Sequence, residues 1–297
     1  MKKVWERVMA GVLVFALSLV PVSVASADST DDSDVKGYVS FGADLTDGEK
    51  LKTMTGLGLS AVTIADYKQG TVTNQEEHKY LDSYLDSSVI GEKALSSVVV
   101  REGAQGSGIV VSTTNINYCT IEMYTNALAT AGFTDVDVKV SAPVEVSGTA
   151  ALVGAMKAYN SMKGEGTIDD TEIDVANNEL VLTGQLSESI GQNQATELVA
   201  LIKNRVVSQG ATDDGAIKKI VKAAADEVEV DLTDEQVDQL VALMKKISGL
   251  NLDISSVKSQ AQSIYNQLTA MDIDPDKARG FWAKIGHFFK KLFSGIF

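Results

Sequence analysis

The apolar residues of this chain change their period once, at Gly164-Glu165-Gly166, and that change limits the folds open to it. Upstream, short β-rich runs alternate with helical patterns. Tyr38–Phe41 and Ala61–Ala65 are brief runs, Ala94–Val100 and Gly108–Thr113 are stronger ones, and Val136–Val140 places β-branched residues at alternate positions. Helical patterns start at Thr46, where Glu49 completes a capping box, and cover about 75–85, 116–131 and 148–162. Residues 109–140 read as strand, helix, Gly132 turn and strand, a βαβ unit, and Gly103–Gly108 reads as a hairpin loop. Downstream only the helical period survives. Four stripes recur: Ile190 to Val206, Ile217 to Val228, Val237 to Ile247, and Ile254 to Leu268. The fold class that follows is α/β, a mixed sheet with covering helices over 37–165, followed by an all-α helical region over 166–273.

The two ends differ from this body. Lys2, Lys3 and Arg7, an apolar stretch from Val8 to Val20, Pro21 and the small-x-small site Ala25-Ser26-Ala27 form a cleavable secretory signal over 1–27. The apolar stretch is short of the roughly 20 residues that a membrane span needs. Residues 28–36 open with DSTDDSD, an acidic flexible leader. Cys119 is the sole cysteine, so no intrachain disulfide can form, and a single thiol in an oxidising compartment is safest buried.

The chain holds 26 basic and 40 acidic residues; removing the signal's three basic and one acidic leaves 23 against 39. Such a surface repels nucleic acid, and no nucleic-acid partner is expected. Five of those basic residues, and no acid, lie in 277–297, so 28–276 hold 18 basic against 39 acidic. Charge alone separates the tail from the body.

Two segments resemble a known family. YTNALATAG (Tyr124–Gly132), and VSGTAALVGAMKAYN (Val146–Asn160) after Ala142-Pro143, are similar to the YpuA-like family of exported bacterial proteins, and GADLTDGEK (Gly42–Lys50) fits as well. The resemblance spans nearly the whole mature chain. It implies a secreted, extracytoplasmic location in the cell envelope. It transfers no catalytic residue, because the family is a domain of unknown function.

Chemistry is scarce in the residues. A nucleophile needs a base, yet of two histidines His78 sits in the polar helix QEEHKYLD and His287 on the polar side of the last segment. Ser255 and Lys258 have Ser-x-x-Lys spacing without the companion motifs of that enzyme class. Zinc would need more Cys and His, and Asp272, Asp274 and Asp276 read as a helix start around Pro275, not a calcium loop. No catalytic residue, metal site or cofactor is nominated. Ligands in α/β sheets tend to sit beyond the carboxyl ends of strands, which makes Thr114, Asn115, Asn117 and Asn126 candidates for a small polar ligand. The alternative is helix capping by Thr114 or Asn115, with Asn126 as a packing residue.

The sharpest pattern is FWAKIGHFFKKLFSGIF, within a basic amphipathic helix expected over 274–297. Phe281, Trp282, Ile285, Phe288, Phe289 and Leu292 share one face; Lys284, Lys290 and Lys291 lie on the other. Aromatic rings opposite lysines suit a helix lying in a membrane interface. The same helix could instead pack internally against the acidic body, or dock on a partner. The functional expectation is an exported, non-enzymatic envelope protein held at an anionic membrane surface, or at an envelope protein, by this helix. The rivals are an envelope hydrolase working with carboxylates, and a small-ligand binding module with the helix packed internally.

Overall fold

The computed structural model describes residues 36–164, 166–250 and, singly, 252, 254 and 257. The signal, the leader, most of the fourth stripe and all of 281–297 lie outside the described residues.

Five strands form one sheet: β1 (Tyr38–Gly42), β2 (Lys68–Val72), β3 (Ser97–Glu102), β4 (Ile109–Ile116) and β5 (Val136–Val146), in the order β2-β1-β3-β5-β4. β1 runs parallel to β2 and β5 parallel to β4, while β3 is antiparallel to both of its neighbours, β1 and β5. The sheet is therefore mixed, with the carboxyl ends of four strands and the amino end of β3 along one edge. β3 explains why no alternation shows in Val98-Val99-Val100. Val98 and Val100 pack under one layer of helices and Val99 under the other, so both faces must be apolar.

One face carries α1 (Asp47–Gly56), capped by the Thr46–Glu49 box, whose Met54 packs with Val39, Phe41 and Val99. The other carries α4 (Ile121–Thr130) and α5 (Thr149–Lys163). Gly154 of α5 lets the helix lie close to the sheet, because a Cβ there would stand 3.0 Å from Ser40 Cβ. Between β2 and β3 run two short helices, α2 (Asn74–Leu81) and α3 (Ser87–Ile90).

The helical half follows as α6 (Asp170–Ile190), α7 (Gln192–Gln209), α8 (Asp214–Glu227) and α9 (Asp234–Ser248). α6 joins the two regions. Its Ala176, Leu180 and Val181 belong to the core under α4 and α5, while Val175, Leu182 and Leu186 belong to the core shared with α7, α8 and α9. Buried on two sides, α6 shows no single apolar stripe, and the sequence pattern marks no helix ahead of Ile190.

Two local expectations change. Residues 61–65 do not form a strand: Thr63–Asp66 is a 3-10 turn, held by reciprocal bonds in which Ser60 N–H donates to Thr63 Oγ1 and Thr63 N–H to Ser60 Oγ. Side-chain bonds to the backbone overrode β propensity there. The strand is β2, a polar edge segment (KQGTV) paired only with β1. Gly103–Gly108 is not a hairpin loop either, since β5 lies between β3 and β4; the loop passes the start of β5, where the Asp135 carboxylate accepts Gly106 and Gly108 N–H at 2.9 and 2.8 Å.

Candidate functional site

Ser97, the first residue of β3, pairs with Ser141 of β5, and β5 runs on to Val146; a cleft of about 370 Å3 opens at this edge. Its apolar wall is Val89, Ile90, Leu95 and Val146. Its polar wall is Glu77, Ser96, Ser147 and Thr149, with Glu92 and Lys93 also lining it. That volume lies within the range of small-ligand sites, and the mixed lining is typical of them.

Each polar group is delivered by a different element. Thr73 and Glu76 cap α2 reciprocally and start it, so that Glu77 falls four residues before the buried Leu81 and shares its inward stripe. Glu77 is 1% exposed. Its carboxylate accepts from Thr149 Oγ1 at 2.7 Å and, at 3.5 Å, from Asn74 Nδ2. Thr149 Oγ1 in turn lies 3.1 Å from Ser147 Oγ. Ser96 Oγ accepts the Ala151 N–H at 2.9 Å, which fastens the loop before β3 to the first turn of α5. On the far side, Asn74 Nδ2 donates to Gly91 O at 3.0 Å, and His78 Nε2 lies 3.3 Å from the same carbonyl.

α5 begins at Gly148 (φ +97), and no side chain caps it there. A Cβ at Gly148 would stand 2.5 Å from Tyr124 Oη, and the same hydroxyl donates to Gly148 O at 2.6 Å. The turn therefore requires glycine twice over, for its conformation and for the space taken by the tyrosine. Cys119 is buried against Tyr124, as its solitary status leads one to expect, and burial pushes its thiol up to about 12. It is not a nucleophile at neutral pH.

Burial pushes the Glu77 carboxyl up to about 7, an effect only partly opposed by the Thr149 and Asn74 hydrogen bonds and the nearby His78. His78 moves the same way for another reason: its hydrogen bond to Asp82, at 2.6 Å, raises it above the usual imidazole range. Glu77 can thus hold or release a proton near neutrality, which suits either ligand recognition or general acid-base chemistry. Among the described residues, no group of three or more His, Cys, Asp or Glu is placed to hold a metal ion.

Of the residues singled out from the sequence, Thr114, Asn115 and Asn117 come together at the end of β4, all exposed. Asn115 has φ +59 and donates through Nδ2 to Ala142 O at 2.8 Å, across an irregularity in the β4–β5 register. Asn117 N–H donates to Val146 O at 3.0 Å. The N-cap of α4 is Thr120, neither Thr114 nor Asn115. Asn126 is apart from them, fully buried on α4, its Nδ2 donating to Thr196 O at 3.4 Å. These residues share the strand-end edge with the cleft but do not line it. Glu77 was missed, although a carboxylate at i against Leu81 and Leu85 at i+4 and i+8 is a readable signal.

Residues 41–264 match the family described as protein of unknown function (DUF1002). The chain belongs to that family. It is 39% identical, over 299 residues, to the uncharacterized protein YpuA of Bacillus subtilis (strain 168), an alignment covering 100% of this chain and 98% of that relative. No solved structure matches it. In this DUF1002 chain the motif Val146–Asn160 supplies Val146, Ser147 and Thr149 to the cleft, and the motif Tyr124–Gly132 supplies the tyrosine that locks Gly148.

The raised carboxyl makes stability depend on pH in a definite direction. Between its ordinary value of 4.5 and about 7, the folded chain keeps a proton on Glu77 that the unfolded chain has released, so stability falls as pH rises through that window. The span corresponds to about 3 kcal/mol. Glu197, pushed up to about 8 by burial and by Glu227, and His78, raised by Asp82, slope the same way. Denaturant unfolding should show Glu77→Gln to be more stable than the native chain at pH 8 by up to about 3 kcal/mol, with a smaller gain at pH 5. An unchanged difference between the two pH values contradicts the buried, ionisable assignment.

Proposed function

We propose that this protein is an exported, non-enzymatic binding module of the cell envelope whose cleft takes a small polar ligand. The observation that carries the reading is a buried carboxyl, Glu77, facing an open cleft of about 370 Å3 at the strand-end edge of the sheet. Such edges collect ligands because helix starts and strand ends converge there while the sheet behind stays rigid. Hydroxyls from Ser96, Ser147 and Thr149 add donors and acceptors, and Val89, Ile90 and Leu95 add apolar contact. Glu92 is a second carboxylate of the lining, and a hydrolase would need two. Binding needs only the single buried acid and the hydroxyls, so binding is the simpler use of the site.

A second reading concerns where the module sits. The segregation of Phe281, Trp282, Ile285, Phe288, Phe289 and Leu292 from Lys284, Lys290 and Lys291 favours attachment to an anionic membrane surface. Among the described residues no helix is long and apolar enough to cross a membrane. The acidic body would be repelled by the same lipid and would stand away from it.

A thermal-shift screen of small polar metabolites tests the cleft. A ligand at a hundred times its dissociation constant should stabilise the fold by about 2.7 kcal/mol. Ser147→Trp, which fills the cleft, should abolish the shift while circular dichroism stays native. A shift that survives this substitution places binding elsewhere. For the tail, the mature chain should co-sediment with vesicles containing phosphatidylglycerol, and a form lacking 281–297 should not. Equal sedimentation of both forms ends the membrane reading, and a sharp loss of thermal stability on deletion would assign the helix to the interior.

A further inference from the structure

Three carboxylates among the described residues are buried, Glu77, Glu122 and Glu179. Glu122 accepts from its own N-cap hydroxyl, Thr120, at 2.9 Å, and the other two are satisfied by residues far off in sequence, each in a different way. Glu179 on α6 is matched by Lys203 on α7, the two charges 2.8 Å apart and both fully buried. Glu77 has only neutral donors, the Thr149 hydroxyl and the Asn74 amide. Among the described residues no lysine or arginine forms an ion pair with it. Lys93 lines the cleft, but so does Glu92. Asp44 adds negative charge nearby, and His78, a basic group within electrostatic reach, is engaged by Asp82. Cys119 and Tyr124 lie within electrostatic reach of Glu77 but are neutral at pH 7, held so by burial. The charge missing from this wall is positive, and the open side of the wall is the cleft.

Resting on the reading of the cleft as a ligand site, we infer that its ligand is a small hydroxylated molecule carrying a protonated amine, with the ammonium meeting Glu77 and the hydroxyls meeting Ser96, Ser147 and Thr149. An ammonium would supply the counter-charge that a buried carboxylate needs, in a setting where water is largely excluded. An anionic ligand would have to approach Glu77, Glu92 and a strongly acidic body. A neutral polyol could use the hydroxyls but would leave the carboxylate uncompensated. Among the described residues no group of three or more His, Cys, Asp or Glu is placed to hold a metal ion, which leaves the ammonium as the cation argued for here.

The test holds the skeleton fixed and varies the charge. Isothermal titration calorimetry at pH 7 on the mature chain compares glucosamine, glucose and glucuronate, and then 1,4-diaminobutane with butane-1,4-diol. The amine should bind at least tenfold more tightly than its neutral partner in at least one series, and the acid should be weakest. Because the ammonium favours ionised Glu77, binding should release protons, seen as heats that vary with the ionisation enthalpy of the buffer. Glu77→Gln should remove both the preference and the buffer dependence while leaving the fold intact. Neutral and amine probes binding equally, with Glu77→Gln indifferent, would overturn the inference and leave the cleft as a ligand site. No amine binding at 10 mM in either series would overturn it too. Loss of binding of every probe in Ser147→Trp reports on the cleft itself, separately from the charge.

Discussion

The ion pair between Lys203 and Glu179 holds the two halves of the molecule to one geometry. It lies at the meeting point of α4, α6 and α7, where Lys203 Nζ also donates to Asn126 O at 3.1 Å and Thr130 Oγ1 at 3.0 Å, and Thr130 Oγ1 donates to Glu179. Every donor of the ammonium is thereby used. A pair so deep returns little net stability over an apolar substitute, but losing either partner alone would strand a charge at a cost of about 3–5 kcal/mol. Its consequence is specificity of docking. α4 covers the sheet, α6 and α7 open the helical half, and only one relative placement lets all the donors meet.

That placement is what makes the cleft possible. With α4 fixed from behind, Tyr124 reaches Gly148 and sets the start of α5, and α5 in turn presents Thr149 to Glu77. Glu77 and Glu179 thus belong to one chain of contacts, and they differ in their remaining partner. Glu179 meets a lysine of its own chain. Glu77 meets hydroxyls and a space that a ligand can enter. A site left incomplete in charge is costly to fold around, and here Thr149 and Asn74 offset that cost in part while the raised protonation of Glu77 avoids the rest.

Much of the architecture was legible in the pattern of residues. The switch at 164–166 separated a sheet-containing region from a helical one, and the βαβ reading of 109–140 corresponds to β4, α4 and β5. The capping box at Thr46 marked a real helix start. What escaped has physical reasons. β2 is polar because it lies at the sheet edge, and α6 hides its face because two cores share it. The site was harder to see. The strand-end rule pointed to the edge where the cleft lies, yet the cleft opens beside β5 and β3, not at Thr114, Asn115 and Asn117. Asn126 looked polar enough to bind a ligand, but it belongs to the seam around Lys203, a contact between residues far apart in sequence. Glu77 was overshadowed by its neighbour His78, whose ring serves to tie α2 to Gly91 and Asp82.

The reading of the cleft rests on Glu77 being an acid removed from water, with no ion-pair partner among the described residues. Carbon-detected NMR titration of its Cδ resonance, assigned by comparison with Glu77→Gln, measures that state directly. The account predicts a midpoint near 7, as burial requires. A midpoint at or below the ordinary value of 4.5 would mean a solvated or charge-paired carboxylate, and the cleft would lose its reason to bind.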